Sequence, residues 1–270
     1  MGLGRRFIEA NIRLSRLFDR ALPAHLRQDG NKTFRRDFLP NAANAGDKIY
    51  DLGGGSQPFI TLAEKERLGL TVIGLDIDSA ELASAPPGVY DQEIVADLCS
   101  FVGPGDGDVA VCQATLEHVP DTIGAMRALA TIVKPGGRIF IFAPSRNALF
   151  ARINLILPEN LKKRILYALF PQKAAGHDGF KAFYDHCTPR EIEALAAENG
   201  LVIEERRLFW VSSYFTVFTP AYLAWRLWQG ANYAIRGEDA AETFLYVLGK
   251  PDALVVRYGP KSLPGGEATG

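Results

Sequence analysis

The segment that most restricts the fold is KIYDLGGG at residues 48–55, where a short apolar run ends on Asp51 and gives way to Gly53, Gly54 and Gly55. A run of that length before a turn reads as a buried strand. Consecutive glycines let the chain turn tightly and bring backbone close to a ligand with no Cβ in the way. The next apolar run, TVIGLD at residues 71–76, ends on Asp76, about the distance downstream at which an acidic side chain accepts both hydroxyls of a ribose. Each half alone is a weak signal, because glycine-rich turns are common and the third glycine of the dinucleotide fingerprint is missing, with Gln57 near its place. Together they predict a nucleotide-type ligand outside the carboxyl ends of the strands.

Further strands are expected at residues 93–96, 109–112 and 137–143, with helices between them, including one over 121–132 that stops before Lys134, Pro135 and Gly136. A helix over 189–199 has Thr188 as N-cap, Glu191 as reciprocal partner and Gly200 as its stop. Strands follow from Leu201 and over TFLYVLG, with Pro251 closing the last. The alternation predicts an α/β fold, a doubly wound, mostly parallel, seven-stranded Rossmann-like sheet. Residues 1–44 form an N-terminal helical segment, 45–258 the main domain and 259–270 a flexible tail. The main domain carries a helical cap at about 145–182, after the fifth strand, and an aromatic-rich apolar insertion at about 208–238, before the last.

Charge excludes some function classes. Thirty basic residues against 31 acidic ones leave no overall field to draw the chain onto nucleic acid or an anionic membrane, so such contacts must be local. The cysteines, Cys99, Cys112 and Cys187, are odd in number and lack metal-type spacing, which argues against a disulfide framework and a zinc site. A cytoplasmic setting is expected, and arginines interleaved in the N-terminal stretch argue against a secretory signal. Arg6 stands where a myristoylation pattern wants serine or threonine.

Over residues 5–22, Phe7, Ile8, Ile12, Leu14, Leu17, Phe18 and Leu22 recur at a helical period, with Arg5, Arg6, Arg13, Arg16 and Arg20 between them. This basic amphipathic helix either covers the domain with a solvated outer face or docks on an acidic or lipid surface. Residues 208–225 carry no charge, but Ser212, Ser213, Thr216, Thr219 and Pro220 dilute their apolarity. A buried lid or an interfacial helix is expected there, not a membrane crossing.

The segments DLGGGSQPF, VIGLDID, IVADLCS, VAVCQATLEHVPD and IVKPGGRIFIFAP stand in the order and spacing of class I S-adenosylmethionine-dependent methyltransferases, which this chain resembles over about residues 48–143. A fainter likeness runs through HCTPREIEALAAENGLVIEE. The resemblance implies S-adenosyl-L-methionine as cofactor, its methionine part held by Asp51 and the Gly53, Gly54 and Gly55 loop. It implies Asp76 with Ile77 at the ribose, Ala96, Asp97 and Leu98 at the adenine, and Gln113 near the sulfonium. Asp78 and Asp97 have ordinary capping as their alternative. The implied activity is methyl transfer to a small or lipophilic acceptor, through oxygen. A nicotinamide-dependent oxidoreductase and a non-catalytic cofactor-binding protein are the competing readings.

In-line transfer depends on alignment, an effect that reaches roughly 7 to 11 kcal/mol in favourable systems. A hydroxyl acceptor also needs a base. His118 is the first candidate, with Glu117 to orient it and packing of the turn as its alternative. His186, beside Tyr184, is the second, with packing against the next helix as its alternative. His177 and Asp178 resemble a pair found in some quinone-type O-methyltransferases and would hold a phenolic acceptor, directly or through a metal, though two ligands make a poor metal site. His25 reads as a turn residue.

Trp210, Trp225, Trp228, Tyr214, Phe215, Phe218 and Tyr222 either pack a core, wall an apolar pocket or meet a membrane interface. The expected partner is a small-molecule or lipid-linked acceptor and not nucleic acid. Peripheral membrane contact is expected through the basic helix or residues 208–235.

Overall fold

Seven strands form one sheet in the order β3-β2-β1-β4-β5-β7-β6. The structure, a computed structural model, describes residues 3–158, 161, 181–212 and 214–252. His177, Asp178 and the tail expected at 259–270 lie outside the described residues.

β1 (Lys48–Leu52), β2 (Thr71–Asp76), β3 (Gln92–Val95), β4 (Gly107–Gln113) and β5 (Val133–Pro144) run parallel. β7 (Thr243–Gly249) inserts antiparallel between β5 and β6 (Val202–Phe209). The parallel part is buried on both faces, which is why its strands read as continuous apolar runs. β5 is longer than expected, because Lys134, Pro135 and Gly136 extend it and do not break it. Backbone bonds from Gly136 to Lys250 and from Lys250 to Gly137 tie that start to the end of β7.

Side chains alternate between two cores, as the two-residue period of a strand requires. Tyr50, Leu52, Leu75, Cys112 and Ile141 face one core with Met126, Leu129 and Ile192. Ile49, Val72, Val111, Phe140 and Phe142 face the other, with Phe34 and Leu39 of the N-terminal segment. Phe34 stacks on Phe142 with ring centroids 5.3 Å apart, so this segment covers part of the sheet.

Eight α-helices are described: α1 (Leu3–Asp19), α2 (Gly30–Thr33), α3 (Leu62–Leu68), α4 (Ser79–Ala83), α5 (Thr122–Ile132), α6 (Leu149–Ile156), α7 (Pro189–Glu198) and α8 (Thr219–Arg236). Asp121 caps α5 through the Gly124 N–H, and Thr188 caps α7 through the Glu191 N–H. The reciprocal bond expected of Glu191 is not made, because its carboxylate pairs with Arg146. A complete capping box stands instead at Thr61 and Glu64, ahead of α3.

The apolar insertion splits between the end of β6, a turn and α8, which packs against α1. Thr219 donates its N–H to Asn11 Oδ1 at 2.9 Å, and the Ser15 and Thr219 hydroxyls lie 3.3 Å apart. Arg226 reaches back to Asp19 at 2.6 Å. Among the described residues no helix is long and apolar enough to cross a membrane.

Candidate cofactor and acceptor site

The carboxyl ends of β1, β2 and β4 meet around the glycine turn. The Gly53 N–H donates to Leu75 O at 2.8 Å, which fastens the turn to β2. Gly53 and Gly55 both have left-handed backbone, with φ of 70° and 46°, a region that favours glycine. Gly53 has a second reason to be glycine, since a Cβ there would lie 2.4 Å from Thr115 Oγ1. The close approach is therefore to the loop after β4, whose Thr115 hydroxyl donates to Leu52 O at 3.0 Å. At Gly54 a Cβ would strike the Asp51 carboxylate, and at Gly55 it would lie 3.2 Å from Asp76 Oδ2. The two carboxylates thus flank one turn.

Asp51 is buried, and both of its hydrogen bonds fall on Oδ2, from Phe59 N–H at 3.2 Å and Tyr90 O–H at 3.0 Å. Desolvation pushes its pKa up to about 7, against those two bonds and with a further push from Asp76. Asp76 is also raised, chiefly by burial, although the Asp78 N–H donates to it at 3.0 Å. Two under-neutralised carboxylates against one glycine turn suit a ligand with cationic and hydroxyl groups.

The other sequence candidates divide. Ile77 is exposed beside Asp76, while Leu98 is buried in the core. The Ala96 N–H donates to Asp76 O at 2.9 Å, joining the ends of β2 and β3. Exposed Asp97 accepts from the Cys99 N–H at 2.9 Å in the turn after β3, and Asp78 caps α4. Gln113 donates to Asn31 Oδ1 at 3.1 Å, linking the cleft to α2. Sequence reasoning missed Tyr90, Thr115 and Asn31, whose contacts cross between loops and leave no periodic trace.

Beyond β4, a turn at Leu116–His118 places Glu117 inward and His118 at the mouth. The Glu117 carbonyl accepts from the Phe183 and Tyr184 N–H groups at 2.8 and 3.0 Å. Its carboxyl oxygen Oε2 is buried with no hydrogen-bond partner among the described residues, and burial raises the group to about 8. His118 Nδ1 lies 3.1 Å from Lys181 O. A carbonyl only accepts, so Nδ1 carries the proton of the neutral ring and Nε2 is its basic nitrogen.

Residues 181–187 cross over this edge of the sheet, with Arg146 N–H donating to Cys187 O at 2.7 Å and Thr122 N–H to Asp185 at 2.9 Å. Tyr184 and His186 hold left-handed backbone with φ of 53° and 39°, which costs on the order of 1–3 kcal/mol each and persists where surroundings enforce it. His186 bonds Asp185 at 2.8 Å, and that bond raises its pKa. The aromatics separate: Tyr222 and Trp225 are core, whereas Phe150 and the exposed Tyr214 pair at 4.8 Å. Tyr184 and Tyr214 both lie within electrostatic reach of Glu117.

A family model described as a methyltransferase domain matches residues 18–206. A ubiquinone biosynthesis O-methyltransferase of Cupriavidus pinatubonensis is 31% identical over 173 residues, covering 62% of this chain and 64% of that protein. One of the same name from Thiobacillus denitrificans is 33% identical over 168 residues, covering 60% and 67%. The chain therefore spans a little under two thirds of the first relative's length. Among solved structures, an S-adenosylmethionine-dependent methyltransferase from Mesorhizobium loti superposes with a TM-score of 0.50 at 18% identity, covering 83% of this chain and 99% of that one. That likeness concerns the fold. The antiparallel β7 between β5 and β6 also departs from the 3-2-1-4-5-6 order of nicotinamide-binding domains.

Proposed function

Because the chain belongs to the class I S-adenosylmethionine-dependent methyltransferases, we propose that it methylates an oxygen of a small lipophilic acceptor such as a substituted phenol. The observation that carries this reading is the placing of Asp51, Asp76 and the glycine turn beside the buried Glu117 and His118. Glu81 accepts from Ser56 in the same turn at 2.6 Å and stiffens it.

When bound, the cofactor supplies an electrophilic methyl carbon on a cationic sulfur. Asp51, with Oδ1 unbonded among the described residues, holds the methionine ammonium; Asp76 holds the ribose. Ile77, Ala96 and Asp97 border the adenine, and Gln113, fixed by Asn31, stands on the sulfonium side. The acceptor would present its oxygen to the methyl group that the cofactor supplies, and the hydroxyl proton would pass to His118 Nε2. Glu117 steadies that imidazole, while His186 stands as the second base.

Labelled methyl transfer to a panel of alkyl-substituted phenols tests the assignment. His118→Ala is expected to lower kcat about 100-fold or more with the cofactor Kd unchanged, and Asp76→Ala to raise that Kd. Equal incorporation by wild type and Asp76→Ala would overturn the enzyme reading.

Asp51 makes cofactor affinity depend on pH. Its folded pKa is raised, so its contribution to stability is full below about 4 and is lost as pH climbs through about 7. The anion formed over that window is the species that binds an ammonium. Cofactor Kd, measured by calorimetry, is expected to fall roughly tenfold between pH 6 and pH 8, with a flat, weaker profile in Asp51→Asn. A flat wild-type profile would remove Asp51 from the site.

The membrane is the second partner in this proposal. α8 leaves much of the apolar face of α1 uncovered, with Phe7 58%, Leu14 46% and Leu17 55% exposed. Arg6, Arg13 and Arg16 are exposed beside that apolar stripe on the same helix, and Arg20 follows just after its end. That arrangement suits a helix lying in the interface of an anionic bilayer. Leu14→Asp is expected to abolish co-sedimentation with phosphatidylglycerol vesicles, and unchanged sedimentation would reject the contact.

A further inference from the structure

A cluster of arginines lies beyond the acceptor site, where the loop after β5 meets α6 and the end of α8. Asn147 organises it. Its side-chain amide donates to Asp239 O at 2.8 Å and to Asp239 Oδ2 at 3.0 Å, its carbonyl accepts from Asn232 at 3.4 Å, and its Oδ1 accepts from Arg152 Nη2 at 3.1 Å. Trp228, Asn232 and Arg236 recur at four-residue spacing along α8 and so share a face of that helix. The Arg152 guanidinium lies over the Trp228 ring, 6.0 Å from its centroid.

Arg152 has no carboxylate partner among the described residues, and its Nε is buried with no hydrogen bond. An unsatisfied buried donor on a cation is costly, and the usual relief is an anion. Of the nearby carboxylates, Glu191 pairs with Arg146, Asp239 bonds Asn147 and the Arg190 N–H, and Glu242 bonds Trp225. Burial and the like charges of Arg236 and Arg146 pull the Arg152 pKa below its ordinary value. Apolar side chains frame them. Ile156, one turn beyond Arg152, is 81% exposed, and Ile235, beside Arg236, is 82% exposed.

We propose that Arg152, supported by Arg146 and Arg236, binds the phosphate of an anionic lipid, with Ile156 and Ile235 against its acyl chain. The forked guanidinium suits the oxygens of a phosphate monoester. The exposed isoleucines decide for a lipid over a free phosphate, because inorganic phosphate gives them nothing to bury. This site is separate from methyl transfer and needs no vesicle, so its failure leaves the catalytic reading and the α1 contact untouched.

The test is calorimetry on the full chain with dihexanoyl phosphatidic acid below its micelle concentration, with inorganic phosphate and an uncharged short-chain diacylglycerol as separate arms. The phosphatidic acid is expected to bind with 1:1 stoichiometry. Arg152→Gln is expected to weaken it about tenfold, the scale of one charge-assisted hydrogen bond. Arg236→Gln, at an exposed helix end where folding is indifferent to it, is expected to weaken it severalfold, and Ile156→Ser likewise. Binding unaffected by both arginine variants would overturn the site. Inorganic phosphate binding as tightly as the lipid, or diacylglycerol binding as tightly as phosphatidic acid, would overturn the lipid-phosphate assignment.

Discussion

Gly53→Val is expected to unfold or severely loosen the cofactor turn and to abolish cofactor binding. Two costs add. A branched residue at a φ of 70° carries a backbone penalty of about 1–3 kcal/mol. Its Cβ also meets Thr115 Oγ1 at 2.4 Å, and overpacking of that kind costs roughly 1–3 kcal/mol more. The two origins are separable. Adding Thr115→Ala to Gly53→Ala should recover the packing part and leave the backbone part, as read from urea unfolding midpoints. A Gly53→Val protein with wild-type stability and cofactor affinity would show that the turn does not have this geometry.

Arg226→Ala is expected to lower stability by about 3–5 kcal/mol, the range for breaking a buried ion pair from one side. Arg226 bonds Asp19 at 2.6 Å, the Tyr222 hydroxyl at 2.8 Å, the Trp210 carbonyl at 2.8 Å and Gln229 at 2.8 Å, with its guanidinium 4.5 Å from the Trp225 ring centroid. Removing it leaves Asp19 with little solvent and no cation. Since whole domains hold only about 5–15 kcal/mol, protease should then cut within α1 before the sheet unfolds. The pair Asp19→Asn with Arg226→Met should lose less than the single alanine change, because no charge is left stranded. A loss under about 1 kcal/mol in the single variant would demote the contact to a surface pair.

The parts of the site that could be read from the chain are those whose signals are local. Asp76 closes its short apolar strand and Asp51 stands one residue from the end of another, and the glycines between them announce a turn; the structure sets both carboxylates around it. Thr188 was legible as a cap for the same reason, since an N-cap acts within three residues. Tyr90 was not legible. It bonds Asp51 from 39 positions away and obeys no period that a window would detect.

The start of β5 was hidden behind Pro135 and Gly136, residues that break most strands. They are tolerated because Lys250, just past β7, bonds Gly136 and Gly137 from the antiparallel side. Glu191 shows the converse: its local pattern promised a reciprocal cap, and a tertiary partner, Arg146, took the carboxylate. The burial of Glu117 likewise depends on residues 181–187 folding back over it, which no local pattern encodes.

The contact between Ser15 and Thr219 closes a span of 204 residues. During synthesis the first helix leaves the ribosome long before its counterpart exists, and for that interval its greasy side has nothing native to rest on. Closing so wide a loop is a late event. Whatever shelters the nascent helix meanwhile, be it a chaperone or a lipid surface, meets the protein before its catalytic edge is complete.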